Sequence, residues 1–77
     1  MVSAYILILT EVGKAAQVAD AVSQIPGVEA AEDVTGPYDV IVRATARDVD
    51  ELGRLVVAQV QTVGGVDRTV TCTVVHL

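Results

Sequence analysis

From Val2 to Thr10 the chain reads VSAYILILT, aliphatic and β-branched at most positions and too short for a buried helix, which predicts a strand. Its two faces, Ser3-Tyr5-Leu7-Leu9 and Ala4-Ile6-Ile8, are both apolar. Both sides of this strand are therefore expected to be covered. The period then changes. Val12, Ala15, Ala19, Val22 and Ile25 recur at three- and four-residue steps, the spacing of an amphipathic helix, and Pro26-Gly27 ends it. A strand, VEAAEDVT, follows from Val28 to Thr35 and meets a tight turn at Gly36-Pro37. The next strand, YDVIVRATA, puts Tyr38, Val40, Val42 and Ala44 on one face and Asp39, Ile41, Arg43 and Thr45 on the other. Asp48 and Glu51 make a D-x-x-E capping box that opens a second helix. Val49, Leu52, Val56, Val60 and Val63 form its expected buried stripe, with Leu55 and Val57 as wide apolar flanks. Gly64-Gly65 stops that helix, and VDRTVTCTVVHL reads as the last strand.

The order is βαββαβ, and it contains a repeat. IPGVEAAEDVT from position 25 and VGGVDRTVTCT from position 63 lie 38 apart, and both run helix end, glycine, valine, alternating strand. Two βαβ units with right-handed crossovers give an α+β fold, the ferredoxin-like sandwich, with a four-stranded antiparallel sheet and two helices on one face. Residues 1–77 are read as one such domain. The helices leave the other sheet face open, and the first strand is apolar there too. Pairing sheet-to-sheet as a dimer would cover it.

Size supports that expectation. A chain of 77 residues hides only roughly 60% of its unfolded surface, so it needs reinforcement. Cys72 is the only cysteine and His76 the only histidine, which leaves no internal disulfide and none of the common zinc patterns within one chain. Oligomerisation remains. The hydrophobic fraction is 52% and the mean hydropathy +0.55, yet no apolar run approaches the ~20 residues of a membrane span. The opening MVSAYILILTE has neither a basic leader nor a small-residue cleavage site, so a cytoplasmic protein is expected, with no membrane partner. Net charge is −5, and Lys14, Arg43, Arg47, Arg54 and Arg68 are scattered. A nucleic-acid surface needs concentrated basic charge, so direct DNA or RNA binding is not expected.

Little of the chain reads as chemistry. One histidine near the chain end offers no oriented base for a Ser/His/Asp set. Cys72 alternates with Val70 and Val74 and reads as core. The glycines fit no dinucleotide or P-loop pattern, and no cofactor or metal is expected. Asp39 stands out as a carboxylate at the mouth of a strand, where Asp is disfavoured. It either bonds a nearby amide to finish the turn, or takes a ligand ammonium while a free amide near Gly36 takes the ligand carboxylate. Thr69, Thr71 and Thr73 form a hydroxyl row opposite Val70, Cys72 and Val74. The row suits an ordinary sheet surface and equally a small polar ligand.

TEVGKAAQVADAVSQIPGV, DVTGPYDVIV and DELGRLVVAQVQTVGGVDRTVTCTVV together resemble the ligand-binding domain of the Lrp/AsnC, or feast/famine, transcription regulators. The most specific stretches are the TG-x-YD turn, Thr35 to Asp39, and GV-x-RT-x-T, Gly65 to Thr71. The resemblance implies sheet-paired dimers that assemble into rings and hold an amino-acid effector in a cleft between dimers. It places Gly36, Pro37, Tyr38 and Asp39, with Val34 and Thr35 before them, and Thr69 and Thr71 of the last strand, on that cleft. Family members usually carry an N-terminal helix-turn-helix, whereas the first strand here begins at Val2, so a stand-alone version is expected. The expected function is a non-enzymatic effector-binding and oligomerisation module that modulates transcription indirectly, with co-assembly into full-length relatives as one route. A small dimeric ferredoxin-like enzyme of oxygenase or isomerase type is the alternative, although the chain lacks Trp, Phe and Asn. A purely structural assembly module is the third reading.

Overall fold

The computed structural model describes residues 1–76. Strand β1 (Val2–Thr10) leads to helix α1 (Ala15–Ser23), then strands β2 (Val28–Asp33) and β3 (Val40–Ala46). Helix α2 (Val49–Arg54) runs on without a break as a π-helical segment, Leu55–Val60, and strand β4 (Val66–Thr73) follows. The strands form one antiparallel sheet in the order β2-β3-β1-β4. This is the expected βαββαβ sandwich, and the change of hydrophobic period along the chain accounts for the order of strands and helices, though not for the π-helical winding of Leu55–Val60.

Strand pairing sorts the residues between two faces. Ala4, Ile6 and Ile8 pair with Ala44, Val42 and Val40. With Val18, Val22 and Val60 from the helices they make a core of fully buried aliphatic side chains. On the other face, Ser3, Tyr5 and Leu7 stand opposite Thr45, Arg43 and Ile41. Tyr5, Leu7 and Leu9 stand opposite Cys72, Val70 and Arg68 of β4. Nothing among the described residues covers this second face, and Tyr5 and Ile41 are 42% and 38% exposed. Arg43 lies 5.0 Å from the centre of the Tyr5 ring, and its Nε is 3.4 Å from Glu29 at a β2 register shift.

The repeat is physical as well as textual. Gly27 and Gly65 both adopt φ +97°, which glycine reaches without a Cβ penalty. Each follows a helix and each carbonyl accepts from the other unit, Thr45 N–H donating to Gly27 and Glu11 N–H to Gly65, both at 2.8 Å. A Cβ on Gly27 would stand 2.9 Å from Leu55 Cδ1, and one on Gly65 3.0 Å from Val18 Cγ2. Each half of the chain therefore seats its glycine against the other half's helix.

Four local expectations are corrected. Val12 is fully exposed, because the chain turns at Gly13 (φ +78°) and the helix begins only at Ala15, so Val18 takes the expected core place. Val49 is 67% exposed at the first turn of α2, whereas Leu55 is 5% exposed and belongs to the core. The cause is the π-helical register: Gln61 N–H donates to Val56 O, a five-residue step, and the wider turn brings both Leu55 and Val60 inward. Cys72 is exposed on the open sheet face beside Tyr5, not in the core, because helices cover only the opposite face. Finally, the link between β2 and β3 is a six-residue loop, Val34 to Asp39, rather than a tight turn.

Candidate functional site

The β2–β3 loop is closed by one backbone bond, Val34 N–H to Asp39 O at 2.8 Å. Within it, the amides of Thr35, Gly36 and Tyr38 donate to no backbone carbonyl among the described residues. Asp39 N–H donates to Ile8 O at 2.9 Å, out of register with the Ile8–Val40 pair that ends the β1–β3 ladder. Past that bond the chain bends away through Tyr38 and Pro37, and Thr10 on β1 loses its strand neighbour on that side. The Asp39 carboxylate replaces it. Asp39 Oδ2 accepts from Thr10 N–H at 2.8 Å and from Thr10 Oγ1–H at 3.2 Å. A half-buried backbone donor at a sheet end is thus satisfied by a side chain, as buried and half-buried amides require. Oδ1 accepts no hydrogen bond among the described residues.

Residues 34–38 wall a hollow of about 330 Å³ whose floor is Leu7 and Ile41 of the open sheet face. No charged side chain lines it. Tyr38 belongs to this hollow with Leu7 and Ile41, although its sequence parity grouped it with Val40 and Val42. Parity fails there because the strand has not yet begun. Asp39 borders the loop without lining the hollow.

Thr69 lies elsewhere. Its Oγ1 accepts from Gln61 Nε2 at 2.9 Å, and the two residues line a separate hollow of about 380 Å³ with Val66, Asp67 and Arg68. Thr69, Thr71 and Thr73 stand opposite Ile8, Ile6 and Ala4, so the hydroxyl row faces the helix side at the β4 edge. Ile8 pairs with both Val40 and Thr69. The loop and the start of β4 therefore occupy the same end of the sheet, two strands or roughly 10 Å apart. One chain brings residues 34–38 together around a hollow and leaves Thr69 and Thr71 outside it. Sequence reasoning had not singled out Leu7, Ile41 or Thr10; strand pairing is the only signal that joins them to the loop.

Two wider hollows lie between α1 and β2 and beside Gly27 under α2. The first is lined by Gln17, Asp20, Ser23 and Asp33 with alanines, the second by Thr45, Glu51, Arg54 and Gln59 among others, and no side-chain polar atom among the described residues is buried without a partner. No group of three or more His, Cys, Asp or Glu among those residues is placed to hold a metal ion. The groups with displaced titration are Arg47 and Glu51, at the opposite end of β3 from the loop. The Arg47 backbone and guanidinium hydrogen bonds lower the Glu51 carboxyl, and Glu51 in turn raises Arg47. They serve the start of α2.

The sequence pattern of the Lrp/AsnC ligand binding domain matches residues 3–76. An uncharacterised HTH-type transcriptional regulator of Pyrococcus abyssi is 34% identical over 55 residues, 71% of this chain and 37% of that protein. The chain thus spans little more than a third of that relative. A crystal structure from Thermus thermophilus superposes with a TM-score of 0.93 at 30% identity, covering 100% of this chain and 96% of that one. A transcriptional regulator from Neisseria meningitidis, solved as its L-Met complex, has the same fold over half its length, with a TM-score of 0.85 at 21% identity.

Proposed function

The chain belongs to the Lrp/AsnC ligand-binding domain family, and from that premise we propose that it is an effector-binding and oligomerisation module. It takes an amino acid at the β2–β3 loop and bears on transcription indirectly, without binding DNA itself. The observation that carries the reading is the loop's division of labour. Free amides at Thr35 and Gly36 suit a ligand carboxylate, Asp39 Oδ1 suits an ammonium, and the Leu7–Ile41 floor suits an uncharged side chain. The L-Met complex of the Neisseria fold neighbour supports an amino acid as the effector class.

The open sheet face supports pairing with a second copy. It presents Tyr5, Leu7, Ile41, Val70 and Cys72 in one plane. Such pairs, assembled into rings, would bring Thr69 and Thr71 of one dimer toward the loop of the next. The acidic balance of −5 with dispersed basic residues speaks against DNA contact by this chain. Since the Pyrococcus relative is an HTH-type regulator, co-assembly with DNA-binding relatives is the proposed route to transcription. A non-enzymatic role follows the same relatives.

A thermal-shift screen with the twenty amino acids tests the effector. At a hundredfold excess over Kd a ligand adds about 2.7 kcal/mol, on the order of 10 °C for a domain this small. The expected result is a clear rise for at least one amino acid with an uncharged side chain. No rise with any of the twenty overturns the reading. Light scattering on a mixture with a DNA-binding relative is expected to show mixed assemblies, and their absence removes the co-assembly route.

A further inference from the structure

We infer that Thr10 is the positioning residue of this site, fixing the Asp39 carboxylate so that only Oδ1 is left to receive a ligand. The inference deepens the proposed effector reading and rests on it for its effect on binding, while its structural part stands on hydrogen bonds alone. A carboxylate rotates easily about its last torsion. Here both donors on Oδ2 come from one residue, the Thr10 amide at 2.8 Å and the Thr10 hydroxyl at 3.2 Å. Two donors from one rigid source hold both the position and the rotation of the group.

Thr10 is itself held on every side. The β1–β4 register shifts between Leu9 and Thr10, an irregularity of the kind that re-aims a residue at a strand end. The next amide, Glu11 N–H, donates to Gly65 O at 2.8 Å. Gly65 is crowded by Val18 and Lys14, at 3.0 and 3.1 Å from where its Cβ would stand. Asp39's own backbone is tied to Ile8 and Val34. The carboxylate is thus oriented before any ligand arrives, which spares the ordering cost at binding.

Three variants test this. Thr10→Val keeps the branched shape and removes the hydroxyl, Thr10→Ser restores a hydroxyl, and Asp39→Asn keeps an acceptor for Thr10 while ending the anionic one. In the ligand-free protein, amide exchange at Val34 is expected to rise about tenfold in Thr10→Val, the loss of one bond to a charged group, and to return toward wild type in Thr10→Ser. An unchanged Val34 rate in Thr10→Val overturns the inference whether or not any ligand is known. With the amino acid found by the thermal screen, affinity is expected to fall about tenfold in Thr10→Val and to recover in Thr10→Ser. Affinity should fall in Asp39→Asn without faster Val34 exchange. Faster exchange with undiminished affinity overturns the positioning role. Failure of every amino acid to bind the wild type sinks the effector reading, while the exchange comparison still decides whether Thr10 holds Asp39.

Discussion

At the residue scale, Asp39 shows how one side chain can satisfy two readings. As a turn-finishing residue it closes the end of β1 through Thr10, and as a candidate ligand group it keeps Oδ1 free. Replacing it separates the roles. Asp39→Ala leaves the Thr10 amide without its acceptor and is expected to cost about 1–3 kcal/mol in chemical denaturation, whereas Asp39→Asn costs less. The glycines make a sharper case. Gly27→Ala and Gly65→Ala each force a Cβ into 2.9–3.0 Å contact at φ +97°, and each is expected to lower stability by about 1–3 kcal/mol. Equal effects at the two sites would reflect the internal repeat. Gly64→Ala, where nothing lies within 4 Å, serves as the control. The repeat glycines were legible in the sequence from their matching surroundings. Asp39's partner was not, since Thr10 lies 29 residues away.

At the scale of elements, the second helix carries most of the difference between pattern and structure. Its start behaves as read. Asp48 Oδ1 accepts from Glu51 N–H at 2.8 Å. Glu51 reaches back one residue further than a capping box requires, to Arg47 N–H at 2.9 Å and Arg47 Nε at 2.7 Å. Asp48→Ala is expected to cost about 1 kcal/mol. Because Glu51 titrates below the ordinary glutamate range when folded, its contribution is present above that range and is lost as pH falls through the depressed value. Acid titration of helicity should show that loss in wild type and a flatter curve in Glu51→Gln. Further along, the π-helical segment separates two residues that the sequence pattern read alike as flanks, taking Leu55 into the core and leaving Val57 exposed. Leu55→Ala is expected to cost about 2–5 kcal/mol as a core truncation, while Val57→Ala, at a 62% exposed site, should stay within about 0.5 kcal/mol. A straight α-helical stripe, which treats the two residues alike, does not predict the difference. Periodicity located the helix, but a local change of winding cannot be read from spacing that assumes constant winding.

At the scale of the whole molecule, one face of the sheet stays open among the described residues. A helix layer covers one side only, so the chain keeps an apolar plane through Tyr5, Leu7, Ile41 and Val70, with Arg43 held between Tyr5 and Glu29. Val70→Glu places a charge at the middle of that plane without touching the core. Light scattering is expected to show the mass falling from a multiple of 8.0 kDa toward the single chain. An unchanged assembly would mean that copies meet through another surface. Among the described residues no helix is long and apolar enough to cross a membrane.

The order of elements, the helix boundaries at Pro26-Gly27 and Gly64-Gly65, the capping box and the Val40-Val42-Ala44 face of β3 were determined by the sequence itself. Each rests on interactions within a few residues, where spacing and backbone preference act directly. Tertiary structure alone decided that Thr10 holds Asp39, that Leu7 and Ile41 floor the loop hollow, that Leu55 is core, and that Cys72 takes the open face while the threonine row takes the helix side. Those facts depend on strand register and on which face the helices cover. Both are set by packing between segments far apart in the chain, and no local pattern contains them.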